Sequence, residues 1–312
     1  MRRFLQFFSA IIFATSILGQ GHGVVECSCP DPVQDPNAYW TLERIGNAKA
    51  PVTPALTREQ VHRLTARQSP YLPPIFTPPG TEAKGSTAPL TTGPQPADVT
   101  IPPYSSVGKL LFTQNNLDSY CTAQVIGDGS MIVTAAHCVR DEKSGQFKRN
   151  FTFVAGYHDR KGTVSFVRCV GTWSSFPNKT FPNYSLDYAF GTLVTPITPA
   201  LALKQGLPAR EWIAVGYPQD VSSGERQQFV SGGNAGAGNN IVQMSNNTME
   251  DGSSGGGWIV NDPGRPPAVI GVNSYVSGTM YGPYFDDGVG LLYEHMHSLG
   301  AGTDGCLTCC ER

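Results

Sequence analysis

The sequence has little charge and almost no bias of sign. Charged residues make up 15% of its 312 residues, against about 25% in an ordinary soluble domain. Lys and Arg (22) nearly balance Asp and Glu (24), and residues 101–300 hold 13 basic and 15 acidic side chains. Neutralising phosphates requires a basic excess, so nucleic acid is excluded as the main partner. Beyond the first twenty residues no apolar run is long enough to span a bilayer; the stretch near 189–203 is broken by Pro196 and Pro199. No internal repeat is visible. The high content of Gly (35) and Pro (25) suits turn-rich β structure and an extended linker, and suits a helical bundle poorly.

The amino terminus has the order of a secretory leader. Arg2 and Arg3 precede a nearly unbroken apolar run over residues 4–18, and small residues follow at Gly19, Gly21 and Gly23. That run is short for a membrane span, so residues 1–20 read as a signal peptide and the protein as secreted and extracellular, with no membrane attachment after removal. The eight cysteines, an even number, fit disulfides in an oxidising compartment. Asn-x-Ser/Thr triplets at Asn150, Asn178, Asn183 and Asn246 become candidate glycan sites in that setting.

Two regimes follow. Residues 21–103 form a Pro-rich propeptide or linker: 15 of the 25 prolines fall within 24–103, and residues 70–103 have neither a helix nor a strand period. A short helix is expected near 56–67. From Tyr104 onwards short β-rich runs recur, for example 109–113, 130–135, 151–155, 163–170, 188–194, 257–260 and 268–276, separated by Gly, Pro, Asn and Asp clusters. This spacing predicts an all-β barrel or sandwich closed by one helix near 289–298. Residues 301–312 form a Cys-rich tail.

Three motifs carry chemistry. Thr134-Ala135-Ala136-His137-Cys138 follows an apolar strand, whose end can hold an imidazole in one orientation. Leu186-Asp187-Tyr188-Ala189-Phe190 places an acid among apolar residues, where a buried carboxylate needs a strong donor such as a histidine Nδ1–H. Gly252-Ser253-Ser254-Gly255-Gly256 lets the backbone turn sharply, and the N–H groups of Gly252 and Ser254 could face one developing oxyanion. The last motif also satisfies the G-x-S-x-G elbow of α/β-hydrolases. That fold needs βα units and an acid and a histidine after the serine, and only His295 and His297 follow it.

In this order the motifs resemble those of trypsin-like, chymotrypsin-fold serine peptidases, and look closest to the secreted V8-like, glutamyl-endopeptidase-like branch. The resemblance covers residues 104–300. It implies a double β-barrel with a short C-terminal helix, preceded by the Pro-rich extended segment. It implies a serine endopeptidase in which His137 is the general base, Asp187 orients it and Ser254 is the nucleophile. Gly252 and Ser254 would form the oxyanion hole, and Cys121 and Cys138 the disulfide that flanks the base. Thr248 matches the specificity-pocket position, Asn273 the place of the histidine of glutamyl endopeptidases, and Ser274 and Tyr275 the segment that pairs with substrate backbone.

Two departures stand out. Ser253 replaces the aspartate that pairs with a new N-terminal amine on activation, and no Ile-Val-Gly-Gly start is present. Maturation from a zymogen by removal of some or all of 24–103 is still expected, with Arg63, Arg67 and Lys84 as candidate cut points. The tail cysteines 306, 309 and 310 fit no tetrahedral zinc spacing and are expected in disulfides, with Cys27 and Cys29 as candidate partners. No cofactor or metal is required; the expected partners are protein or peptide substrates acted on by a monomer. The rival reading is a catalytically silent homologue that binds extracellular proteins.

Overall fold

The computed structural model describes residues 22–29, 36–66, 91–207 and 211–300. The expected signal peptide, most of the Pro-rich stretch 70–103, Arg67, Lys84 and the tail with Cys306, Cys309 and Cys310 lie outside the described residues.

Two β-rich halves build the molecule, as the resemblance implied. In the first half the strands pair in the spatial order Lys161–Trp173, Arg149–His158, Val107–Gln114, Leu117–Ile126, Met131–Thr134 and Ala189–Leu193. Lys161–Trp173 pairs with Ala189–Leu193 and closes the barrel. Two-residue turns fold this half: Asn115–Asn116 (φ 51° and 62°) and Asp159–Arg160 (φ 46° and 65°) both have positive φ at each position. That is the turn whose twist matches a hairpin, and asparagine tolerates it best after glycine. Asn239–Asn240 (φ 51° and 59°) repeats the device in the second half.

The second half consists of a six-stranded and a four-stranded sheet. They enclose a core in which Trp212 and Trp258 stack 5.8 Å apart among Val230, Val242, Met244, Ile270 and Met280. The helix Asp287–Gly300 leaves this half and packs back on the first barrel, with Tyr293 edge-on to Phe190 and Met296 against Gly171. The helix thereby ties the second half to the first barrel.

The described parts of 22–66 are docked on both halves. Val25–Ser28 pairs antiparallel with Val170–Trp173 of the first barrel. Trp40 and Ile45 enter the main core, the indole N–H donating to the Asn150 carbonyl at 2.7 Å. The helix expected near 56–67 spans Arg58–Thr65, with Thr57 and Gln60 forming a capping box. Arg63 lies inside that helix, paired with Glu59 one turn earlier. Cys27, Cys29 and Cys169 are disulfide-bonded; the Cys29 and Cys169 sulfurs lie 3.7 Å apart, too far for a bond to each other.

Candidate active site

His137 lies in the one-turn helix Ala136–Val139 that follows the strand Met131–Thr134. Cys138 beside it is bridged to Cys121 on the strand Leu117–Ile126. Asp187 follows the 3₁₀ turn Tyr184–Leu186 and is fully buried. Its Oδ1 accepts from the His137 backbone N–H at 2.8 Å and its Oδ2 contacts His137 Nδ1 at 2.7 Å. The Ser274 hydroxyl makes a further short bond to Oδ2. Three groups thus satisfy a carboxylate removed from water. An ionised carboxylate can only accept, so Nδ1 carries the ring proton and the lone pair of neutral His137 sits on Nε2. Nε2 is buried and has no hydrogen-bond partner among the described residues.

Ser254 occupies the loop before the strand Gly257–Val260 and is 1% exposed. The strand Leu117–Ile126 fastens this loop to the wall that carries the base. Thr122 N–H donates to the Ser254 carbonyl at 2.9 Å and its hydroxyl to the Gly252 carbonyl at 2.8 Å. Gln124 Nε2 donates to the Gly255 carbonyl at 3.1 Å. A Cβ on Gly255 would lie 2.8 Å from Ala135 N, so the nucleophile loop touches the wall two residues before His137. Nucleophile and base are therefore linked through Thr122, Cys121 and the disulfide to Cys138. The N–H groups of Gly252 and Ser254 donate to no acceptor among the described residues and are available to an oxyanion.

Ser253 shows what fills the place of the missing aspartate. Its hydroxyl donates to the Glu250 carbonyl at 2.6 Å, and its own carbonyl accepts from Asn273 Nδ2 at 3.1 Å. Asn273 is fully buried, and its Oδ1 accepts from Asn247 at 3.0 Å and from the Trp258 indole at 2.8 Å. Its amide braces the loop from within. Thr248 is exposed, whereas Asn247 beside it is buried. Tyr275 is fully buried, stacked on Tyr281 at 5.1 Å. The structure thus joins His137, Asp187 and Ser274 directly and Ser254 and Gly252 through Thr122. Asn273 meets the site from the Ser253 side, and Thr248 has no bond to any of these residues. Thr122, Gln124, Asn247 and Trp258 escaped the sequence reading, since each acts through a buried polar atom on an otherwise apolar strand or loop.

Thr122 offers a direct test. Thr122→Val keeps the shape but leaves the Gly252 carbonyl and the Tyr217 N–H, which donates to the Thr122 hydroxyl at 3.1 Å, without partners. At roughly 1–3 kcal/mol for such a loss, kcat is expected to fall about 10- to 100-fold with KM little changed, and Thr122→Ser to restore it. Steady-state kinetics of the three proteins checks this.

Lys148 is the unusual charge nearby. It is 6% exposed, with its ammonium 4.2 Å from the Phe112 ring centroid. Burial pulls its pKa down to about 7, although Asp141, Glu142 and Asp187 pull the other way. An unfolded lysine titrates near ~10.4, so between about pH 7 and 10 the unfolded chain binds a proton that the folded one lacks. Stability therefore rises with pH across that window. Lys148→Met removes the titration: the variant is expected to be the more stable protein at pH 6, with the gap closing towards pH 10, as read by urea unfolding at both pH values.

Comparison with known proteins bears on the fold that carries these residues. Residues 121–272 match the model of the trypsin-like peptidase domain. Among solved structures, the chain is similar to a thermostable serine protease from an extremophilic microorganism. The two are 27% identical, the match covers 62% of this chain and 97% of that one, and the TM-score is 0.54. A protease from Arthrobacter nicotinovorans shares the fold at 23% identity over 66% of this chain and 99% of its own, with a TM-score of 0.55. A Glu endopeptidase does so at 22% identity over 67% and 97%, with a TM-score of 0.56. By sequence, no curated protein matches the chain. Residues 121–272 thus carry a trypsin-like peptidase domain, the chain has the chymotrypsin fold of its serine protease neighbours, and both findings support a serine endopeptidase.

Proposed function

We propose that the protein is a secreted endopeptidase that cleaves protein or peptide substrates with His137, Asp187 and Ser254 as its triad, working as a monomer matured from a zymogen. The observation that carries this reading is the pair of contacts from the Asp187 carboxylate to the backbone and Nδ1 of His137, which sets the ring tautomer and leaves Nε2 free to act as a base. Nε2 takes the proton of the Ser254 hydroxyl as Oγ bonds to the scissile carbonyl carbon. The carbonyl oxygen becomes an oxyanion facing the N–H groups of Gly252 and Ser254. Nε2 then gives its proton to the leaving amine as the C–N bond breaks, and water repeats the cycle on the acyl-enzyme.

Secretion is supported by the basic start with its apolar run over residues 4–18 and by the Cys121–Cys138 disulfide. Among the sequons, Asn178 and Asn246 are exposed and suit glycans, while the Asn150 amide donates to the Thr113 hydroxyl at 2.7 Å.

Active-site labelling with a small fluorophosphonate tests the triad. Ser254 is expected to be modified in the protein and spared in Ser254→Ala and His137→Ala. A folded, matured protein that takes no label would identify the silent binding homologue instead.

A further inference from the structure

Residues 53–56 run beside the short strand Tyr275–Val276. The Val276 N–H donates to the Pro54 carbonyl at 2.9 Å and the Leu56 N–H to the Val276 carbonyl at 2.9 Å, placing Ala55 opposite Val276 in a parallel bridge. Upstream, the Thr53 N–H donates to Asp251 Oδ1 at 2.6 Å, three residues before Ser254. Downstream, Val61 and Leu64 of the helix Arg58–Thr65 join Tyr184, Ile241 and Tyr275 in one buried cluster, with Leu56 and Tyr281 packed against it. On its other side the strand pairs with Met280–Pro283. Both edges at Val276 are therefore occupied, one of them by the chain's own N-terminal segment.

That edge starts at the site. Ser274 bonds Asp187, and the backbone runs from there to Tyr275 and Val276. An extended peptide that presents a carbonyl to Ser254 must lay its neighbouring backbone along a free strand edge, and main-chain hydrogen bonds supply much of the affinity in such pairing. We propose that residues 53–56 are a strap resident on the substrate-backbone edge, and that the folded chain is latent because this strap must leave before a polypeptide can bind. The inference rests on the triad reading. The nucleophile loop is already braced by Ser253, Asn273 and Thr122, none of which needs a new terminal amine. Activation is then an uncovering of the edge and not an ordering of the oxyanion loop.

Two variants of the full chain test the strap without touching the catalytic residues. Leu56→Pro deletes the N–H that Val276 accepts and keeps Ala55 extended. Val61→Asp with Leu64→Asp places charges in the buried cluster and undocks the helix. Both are expected to raise kcat/KM on a mixed-sequence, end-blocked tetrapeptide amide library about tenfold or more, since the first loosens the backbone bonds to Val276 and the second the packing that holds the segment in place. Labelling of Ser254 by a small fluorophosphonate, which needs no strand edge, is expected to change less than about twofold. A synthetic peptide of residues 50–66 should inhibit the variants again in competition with the tetrapeptides. Equal tetrapeptide turnover by the wild type and both variants overturns the strap. Absence of labelling in every protein overturns the triad instead. Amide exchange in Ser254→Ala separates the two without catalysis: the Val276 N–H is expected to be protected, and to lose about tenfold in protection in Leu56→Pro. Exchange at Val276 as fast as in an unstructured peptide overturns the strap whatever the triad does.

Discussion

Asp187→Asn is expected to lower kcat by about four orders of magnitude while leaving KM and the fold nearly unchanged. The reason lies in which ring nitrogen holds the proton. In the native site Oδ2 accepts from Nδ1 and Oδ1 from the His137 backbone, and the Ser274 hydroxyl completes the shell. An asparagine of the same shape presents one NH₂ where an oxygen accepted before. If that group faces the ring, it donates to Nδ1 and drives the proton to Nε2, the atom that must receive the Ser254 proton. If it faces the backbone, it opposes the His137 N–H and the peptide loses its acceptor. Either way the neutral base is lost or disordered, and the imidazolium formed in the transition state has no counter-charge. Ser254→Ala removes the nucleophile and is expected to reach the same floor, since members of a triad act as a unit and single losses do not add. Kinetics of the two single variants and the double variant on one activated substrate checks this: the double variant should be no slower than Ser254→Ala alone.

Gly255→Ala is expected to damage both the fold of the nucleophile loop and activity. Gly255 sits at φ +79°, in the left-handed region that disfavours a side chain. Its Cβ would lie 2.1 Å from the Thr134 hydroxyl oxygen and 2.4 Å from the Thr122 carbonyl, both part of the wall behind the site. Nothing there is a flexible chain end, so the loop has to move. Strain and overpacking together are expected to cost about 3 kcal/mol or more, seen as a lower urea midpoint. Activity should fall further than stability, because any shift of Gly255 carries the Ser254 hydroxyl with it. A variant with native stability and native kcat would show that the loop has slack that the contacts do not suggest.

The fold was legible because the β-rich runs and their turn residues repeat across residues 104–300, and because Thr-Ala-Ala-His-Cys and Gly-Ser-Ser-Gly-Gly are short local motifs. Paired asparagines at 115–116 and 239–240 mark hairpins by a local rule, which a sequence displays. What stayed hidden is non-local. Thr122 and Gln124 sit inside an apolar strand, and nothing adjacent to them reveals that they reach a loop 130 residues later. Asn273 stands where a pocket residue was expected, yet its environment is decided by Asn247 and Trp258 from other elements. The segment 53–56 has the proline and the Pro-rich neighbourhood of a linker. Its two bonds to Val276 depend on a strand more than 200 residues away, so composition alone marks it as an arm.

The strand Val25–Ser28 sets the terms on which such a strap can be shed. Because it is sewn into the first barrel, a single cut after residue 66 frees one end of the segment and leaves the other attached. The severed strap would then compete as an intramolecular ligand at an effective concentration on the order of millimolar, far above any ordinary substrate. One nick would yield a slow, partly damped enzyme. Full output would require a second cut between the barrel strand and Thr53, giving two-step gating of proteolysis from one polypeptide.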